Sequence, residues 1–112
     1  MSELEQLRES ILQFRDQRKW QQFHNPKDLA LSLTLEASEL LELFQWKTSE
    51  EAVEKNLDKM KEELADVLIY AILFANETDL DLVKIINNKL QKNNEKYPIG
   101  KFAGKNTKYN EI

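Results

Sequence analysis

Two pairs of acidic residues stand out because each lies in a stretch that is otherwise rich in apolar residues. Glu36 and Glu39 are three positions apart among leucines, and Glu63 and Asp66 repeat this spacing in a later stretch. In an α-helix, residues three positions apart project on the same side. Ionised carboxylates about 4 Å apart repel one another by on the order of 4 kcal/mol at an effective dielectric constant near 20. A divalent cation would remove that cost, so the spacing predicts a metal site made from four carboxylates.

The predicted site offers only oxygen ligands, which favour a hard cation: Mg²⁺ is expected, with Mn²⁺ as the alternative. The chain contains no cysteine and one histidine, His24. Zinc sites built on thiolates or paired imidazoles and di-iron sites built on Glu-x-x-His pairs are therefore excluded. The competing interpretation is that these acids face solvent and pair with lysines, as a single Glu-x-x-Glu pair commonly does. Two such pairs in apolar surroundings favour the metal site.

The acidic pairs are expected to lie on helices. Neither glycine nor proline occurs between Pro26 and Pro98, and no stretch of alternating polarity indicates a strand. Four places carry residues typical of a helix start, namely Ser2 with Glu5, Asn25 before Pro26, Thr48 with Glu51, and Thr78 or Asp79. We therefore predict helices near residues 3–19, 26–46, 49–76 and 80–96.

The length of 112 residues fits a single domain, with a helical core over about 3–96 and an irregular arm over about 97–112. The second predicted helix is apolar on nearly all sides, and the third carries two adjacent apolar stripes, so both must be buried on most sides. Four helices of this size cannot cover all of that surface. The predicted fold is therefore an all-α four-helix bundle whose core is completed by homo-oligomerisation.

Charge is segregated along the chain. The net charge is −4, yet residues 36–66 hold ten acids and four lysines, whereas residues 84–108 hold seven lysines and a single acid. Such blocks are commonly solvated surface; the alternative is an acidic metal site facing a basic, phosphate-binding segment. The overall acidity argues against nucleic acid as a partner. No apolar stretch approaches the roughly 20 residues of a membrane span and the first residues do not resemble a secretory signal, so we expect a cytoplasmic protein without a membrane partner.

Five segments around these residues resemble a known family over about residues 12–109. They are FRDQRKWQQFHNPKDLALSL, EASELLELFQWK, EELADVLIY, NKLQKNNEKYP and, more weakly, GKNTKY. Their order and spacing are similar to those of MazG-like nucleotide pyrophosphohydrolases of the all-α NTP pyrophosphatase superfamily, and within it to the dCTP pyrophosphatase branch. Two departures are Leu35, where many relatives carry an additional glutamate, and a connection from Lys47 to Lys61 that is short for the branch.

The resemblance implies Mg²⁺-dependent hydrolysis of a nucleoside triphosphate, with dCTP or a modified dCTP as the first expected substrate, to a monophosphate and pyrophosphate. It also implies a homodimer or a homotetramer built as a dimer of dimers. The family's metal ligands correspond to Glu36, Glu39, Glu63 and Asp66. Its base and sugar pocket corresponds to Trp20, Phe23, His24, Trp46 and Tyr70. The positions near the phosphates correspond to Lys89, Asn93, Tyr97 and, less closely, Lys108.

Alternatives to these roles are open at this point. Glu39 and Glu63 are the catalytic candidates, and Glu39 is favoured as the proton acceptor because surrounding leucines and Trp46 should disfavour its charged form. The tryptophans and Tyr70 are equally typical of a core, His24 of a helix cap, and Lys89 of a solvated helix face. The alternative functions are a broad house-cleaning pyrophosphohydrolase for noncanonical triphosphates and a non-catalytic helical oligomerisation or regulatory protein.

Overall fold

The structure, a computed structural model, describes residues 1–106, and all regular structure in that range is helical. Its helices are α1 (Glu3–Gln17), a 3₁₀ turn (Gln21–Phe23), α2 (Pro26–Glu42), α3 (Ser49–Glu77), α4 (Leu82–Lys96) and the short α5 (Ile99–Phe102). The predicted all-α class is confirmed. Residues Met1–Asp79 form one compact unit, and the described residues from Leu80 onward belong to a second. The segment after residue 96, expected to be irregular throughout, contains α5.

Helix starts follow the predicted capping residues in three cases. Ser2 and Glu5 form a complete capping box at α1, the Asn25 side chain accepts from Asp28 N–H at 2.9 Å, and the Thr48 hydroxyl accepts from Glu51 N–H at 3.1 Å. Pro26 occupies the first position of α2.

The predicted start of the fourth helix is wrong. Asp81 caps α4 by accepting from Lys84 N–H at 3.1 Å. Thr78 instead ends α3, where its hydroxyl donates to the Phe74 carbonyl at 2.8 Å. Asp79 has a left-handed φ of 55°, so it belongs to the turn between the helices and lacks the extended conformation of an N-cap.

Two helices end earlier than predicted, α1 at Gln17 and α2 at Glu42. After α2, residues 43–47 form tight turns closed by bonds such as Phe44 N–H to the Leu41 carbonyl at 3.0 Å. Both exits contain a left-handed residue other than glycine, Lys19 with φ 55° and Trp46 with φ 63°. Because such residues give no breaker signal, the sequence did not reveal these ends.

Helix α3 is the centre of the first unit, packing against α2 and against α1. The fully buried apolar positions lie on these three helices and are Ile11, Leu29, Ala52, Met60, Ile72, Leu73 and Ala75. At Asn56 the backbone of α3 leaves the helical conformation (φ −120°, ψ 17°), and the side-chain amide donates to the Leu43 carbonyl at 3.2 Å. This bond ties the end of α2 to the first part of α3.

Large apolar side chains remain exposed on the same helices. They include Leu31, Leu35 and Leu41 of α2 and Leu57, Leu64 and Leu68 of α3. Leu41 is the most open of these, at 71% exposure. One chain therefore leaves uncovered much of the apolar surface that the sequence assigns to its second and third helices. Among residues 1–106, no helix is both long enough and apolar enough to cross a membrane.

Candidate active site

Three of the four predicted metal ligands converge where α2 packs on α3. One carboxylate oxygen from each of Glu36, Glu39 and Glu63 lies within 4.8 Å of the other two. The two helices run antiparallel, because the end of α2 contacts α3 near Asn56 while the middle of α2 meets the later Glu63. Successive turns of one helix thus supply Glu36 and Glu39, and the facing helix supplies Glu63.

The cluster contains buried oxygens without partners. Glu36 and Glu63 are half-buried and Glu39 is exposed. One oxygen of Glu36 and one of Glu63 (Oε2 in each) are shielded from solvent and accept no hydrogen bond. No lysine or arginine within residues 1–106 forms an ion pair with any of the three. Pairing with lysines therefore does not describe this cluster, and of its three acids only Glu39 faces solvent.

The electrostatics of the cluster oppose full ionisation. Burial, a hydrogen bond with Glu39 and the neighbouring negative charges raise the pKa of Glu36 from 4.5 to about 7. The pKa of Glu63 is raised too, first by its hydrogen bond with Glu39 and then by burial. A bound cation would neutralise these negative charges and satisfy the unpartnered oxygens. An all-oxygen set of this kind fits a hard divalent cation.

The fourth predicted ligand, Asp66, lies outside this tight group. It is half-buried on α3, one turn after Glu63, and its negative charge contributes to the raised pKa of both Glu36 and Glu63. Asp66 is therefore near enough to act on the cluster electrostatically, although its oxygens are not within 4.8 Å of all the others.

Three predicted pocket residues lie on the short segment between α1 and α2. Trp20 precedes the 3₁₀ turn and Phe23 is its last residue, and both rings are exposed. The Trp20 ring makes an edge-to-face contact with Phe14 at a centroid distance of 5.8 Å. His24 follows and is half-buried, and its Nδ1 is shielded from solvent without a hydrogen-bond partner. A shielded imidazole nitrogen without a hydrogen-bond partner is unusual in a segment whose role is only structural. The same segment also carries two exposed aromatic rings.

Trp46 departs from its predicted place. It was expected on α2 among the neighbours of Glu39, but it lies beyond the helix end with its side chain 93% exposed. Trp46 therefore does not shield Glu39, and the acids taken out of solvent are Glu36 and Glu63. Tyr70 lies on α3 one turn after Asp66 and is half-buried. This exposure is compatible both with a place in the base and sugar pocket and with a place in the core.

The predicted phosphate-side residues belong to the second unit. Lys89 and Asn93 lie on α4, exposed and half-buried respectively. Tyr97 ends that helix, and its ring contacts Phe102 edge-to-face at 4.9 Å. Lys108 lies outside the described residues.

Residues 31–112 match the MazG-like family. The chain belongs to the MazG-like family. The predicted resemblance is thereby confirmed. Among curated MazG-like relatives, dCTP pyrophosphatase 1 of Rattus norvegicus and that of Homo sapiens are each 37% identical, over 97% of this chain and 67% of theirs. Among solved structures, a pyrophosphatase from Archaeoglobus fulgidus is 37% identical with a TM-score of 0.83, covering 88% of this chain and 94% of that one.

The sequence reasoning missed one buried charged group in this MazG-like chain. Arg15, in the last turn of α1, is only 5% exposed and forms ion pairs with Asp16 at 2.8 Å and with Glu77 of α3 at 3.4 Å. A basic residue near a helix end is ordinary, and Glu77 is far away in the sequence. No local signal could have identified the pair.

Proposed function

We propose that this protein hydrolyses a nucleoside triphosphate between the α and β phosphates in a Mg²⁺-dependent reaction, with dCTP or a modified dCTP as substrate. The observation that carries the proposal is the cluster of Glu36, Glu39 and Glu63, with its buried unpartnered oxygens, in a MazG-like chain. The identity of 37% to dCTP pyrophosphatase 1 over nearly the whole chain supports the nucleotide pyrophosphohydrolase class and the choice of substrate. The cytoplasm is the compartment we propose.

We assign a role to each carboxylate from its exposure. Glu36 and Glu63, with their buried oxygens, would hold the cation, and Asp66 would add negative charge beside it. A bound Mg²⁺ would supply neutralisation of developing charge on the phosphate oxygens. We assign to Glu39, which faces solvent, the role of orienting a water molecule and accepting its proton. The water oxygen bonds to the α phosphorus, the α–β bridging bond breaks, and pyrophosphate leaves with the bridging oxygen.

Aromatic surface and basic charge would bind the rest of the nucleotide. Stacking of a base on an aromatic side chain contributes about 1–3 kcal/mol in single-stranded nucleic-acid complexes. We assign the base and sugar to Trp20, Phe23, His24, Trp46 and Tyr70. We assign the phosphates to Lys89, Asn93, Tyr97 and Lys108.

We further propose that the protein works as a homodimer or a homotetramer. The support is the apolar surface that one chain leaves open, including half-exposed leucines on α2 and α3 and Val83, Ile86 and Leu90 on α4. A stripe of that kind is typical of a surface covered by a partner. Sedimentation velocity at several protein concentrations would measure the state, and a monomer at all of them would contradict this part of the proposal.

The test of the activity is pyrophosphate release from a panel of ribo- and deoxynucleoside triphosphates, with Mg²⁺ and with EDTA. Wild type, Glu63→Ala and Glu62→Ala are compared; Glu62 neighbours Glu63 on α3 but is exposed and outside the cluster. We expect EDTA-sensitive release that is strongest for dCTP, is lost in Glu63→Ala and is retained in Glu62→Ala. No release from any substrate by the folded protein would contradict the proposal.

A further inference from the structure

The segment from Arg18 to His24 is anchored on the last turn of α1. The Arg15 carbonyl accepts from both Arg18 N–H at 3.2 Å and Trp20 N–H at 3.1 Å, and the Asp16 carbonyl accepts from Lys19 N–H at 3.0 Å. Phe23 N–H then bonds to the Trp20 carbonyl at 2.9 Å, and His24 N–H bonds to the Gln21 carbonyl at 3.0 Å. Two of the backbone bonds that set the path of the segment therefore end on Arg15.

The side chain of Arg15 fixes this anchor to α3. Its guanidinium is buried and donates to Glu77, the last residue of α3, at 3.4 Å. A carboxylate at a helix C-terminus opposes the helix dipole, so Glu77 needs a cation beside it. Removing either partner of a buried ion pair leaves an uncompensated charge, which makes this contact costly to break.

The same pair of charges acts on His24. Burial and the positive charge of Arg15 lower the pKa of the His24 imidazole, and the negative charge of Glu77 opposes them. On α2, the helix that follows His24, the charged residue nearest to His24 in the sequence is Asp28. Its carboxylate accepts from the Asn25 side chain at 2.7 Å. After burial, the charges of Arg15 on α1 and Glu77 on α3 are therefore the ones that act on the pKa of His24.

We propose that Arg15 is a positioning residue for nucleotide binding, an inference that rests on the proposed function. Its carbonyl and its ion pair with Glu77 hold the segment from Arg18 to His24 so that the imidazole of His24 meets the base or sugar. An uncharged imidazole offers one donor and one acceptor and no positive charge. His24 thus suits the uncharged part of the nucleotide and not a phosphate.

The experiment uses the fact that His24 is the chain's single histidine. Its imidazole signals can be titrated by NMR in tagless, full-length protein without competing histidines. We expect its titration midpoint to move to higher pH in Arg15→Met, which removes the positive charge and keeps the negative charge of Glu77, and to lower pH in Glu77→Gln, which removes the negative charge that opposes Arg15. The matched control is Arg8→Met, because Arg8 bonds to Asn76 on the same contact between α1 and α3, at 3.1 Å, but is exposed.

The kinetic arm measures pyrophosphate release. In Arg15→Met we expect KM to rise about tenfold, the equivalent of one lost hydrogen bond, with kcat within about twofold of wild type. Arg15→Lys should restore the midpoint of His24 and part of the loss in KM. If Arg15→Met does not fold, the midpoint shift to lower pH in Glu77→Gln decides the test. An unchanged midpoint in both Arg15→Met and Glu77→Gln, or equal increases in KM in Arg15→Met and Arg8→Met, would overturn the proposal. If wild type hydrolyses no triphosphate, the proposed function fails, whereas the titration still decides whether Arg15 acts on His24.

Discussion

Replacing Glu36 by glutamine should stabilise the metal-free protein at alkaline pH. With its oxygens within 4.8 Å of those of Glu39, an ionised Glu36 is repelled by about 0.9 kcal/mol in a water-like dielectric and about 3.5 kcal/mol at an effective dielectric constant of 20. Glu39 is exposed, so solvent screening places the expected gain in the lower part of that range, about 1–2 kcal/mol. Glutamine keeps the shape of the side chain and removes the charge.

The gain must depend on pH with a definite sign. The pKa of Glu36 is about 7 in the folded protein against an ordinary value of 4.5. Below about pH 4.5 the group is protonated whether the chain is folded or unfolded, and its stability contribution is fully present. Between about pH 4.5 and pH 7, Glu36 ionises in the unfolded chain before it does so in the folded protein, so the free energy of unfolding falls as pH rises. The loss is complete above about pH 7. Glu36→Gln should therefore resemble wild type near pH 5 and exceed it near pH 8.

The assay is urea unfolding followed by circular dichroism, in EDTA, near pH 5 and near pH 8, at one protein concentration. Glu42→Gln is the control, because Glu42 ends the same helix, is exposed and lies outside the cluster. It should change the free energy of unfolding by no more than about 0.5 kcal/mol at either pH. A Glu36→Gln protein that is destabilised equally at both pH values would refute the reasoning, since the side chain would then contribute packing or hydrogen bonding instead of repulsion.

Four further outcomes follow from the same structure. Saturating Mg²⁺ at about 100 times its Kd should stabilise wild type by about 2.7 kcal/mol, and a melting curve unmoved by Mg²⁺ would contradict the metal site. Glu39→Gln should lower kcat by about 10²- to 10⁴-fold while Mg²⁺ still raises the melting temperature; full turnover would remove Glu39 as the proton acceptor. Asn56→Asp, which replaces the donor to the Leu43 carbonyl by an acceptor, should cost about 1–3 kcal/mol in urea unfolding, whereas a neutral result would mean that the 3.2 Å bond contributes nothing. Leu41→Lys should shift sedimentation toward the monomer if α2 forms the interface, and an unchanged sedimentation coefficient would place the interface elsewhere.

The carboxylate cluster could be predicted because its signal is local. Glu36, Glu39 and Glu63 are charged residues at helical spacing in apolar stretches, and such a placement is costly unless the charges meet a ligand. The same local logic located three of the helix caps, since Ser2, Asn25 and Thr48 act on backbone groups within one turn. Spacing alone could not separate Asp66 from the other three, because the distance between carboxylates depends on how α2 and α3 pack.

The misplaced residues depend on interactions that a local pattern does not contain. Trp46 was assigned to α2 because no glycine or proline marks the end of that helix, yet the chain turns at Leu43 and takes a left-handed conformation at Trp46. The side chain of Asn56, thirteen positions later, stabilises that turn. Arg15 and Glu77 are likewise joined only by tertiary packing. Long-range polar contacts were therefore the part of the site that sequence reasoning could not supply.

The position of the acids explains how a small fold tolerates them. The cluster lies within the most extensive helix contact of the chain, that of α2 with α3, which is fixed near its other end by the bond between Asn56 and Leu43. A contact held in this way keeps Glu36 near Glu63 although their charges repel, which is one cause of the raised pKa of Glu36. A cation that bound there would compete with protons for these oxygens, so we expect its affinity to rise with pH. The repulsion that weakens the metal-free fold is thus the same interaction that a bound divalent cation would relieve.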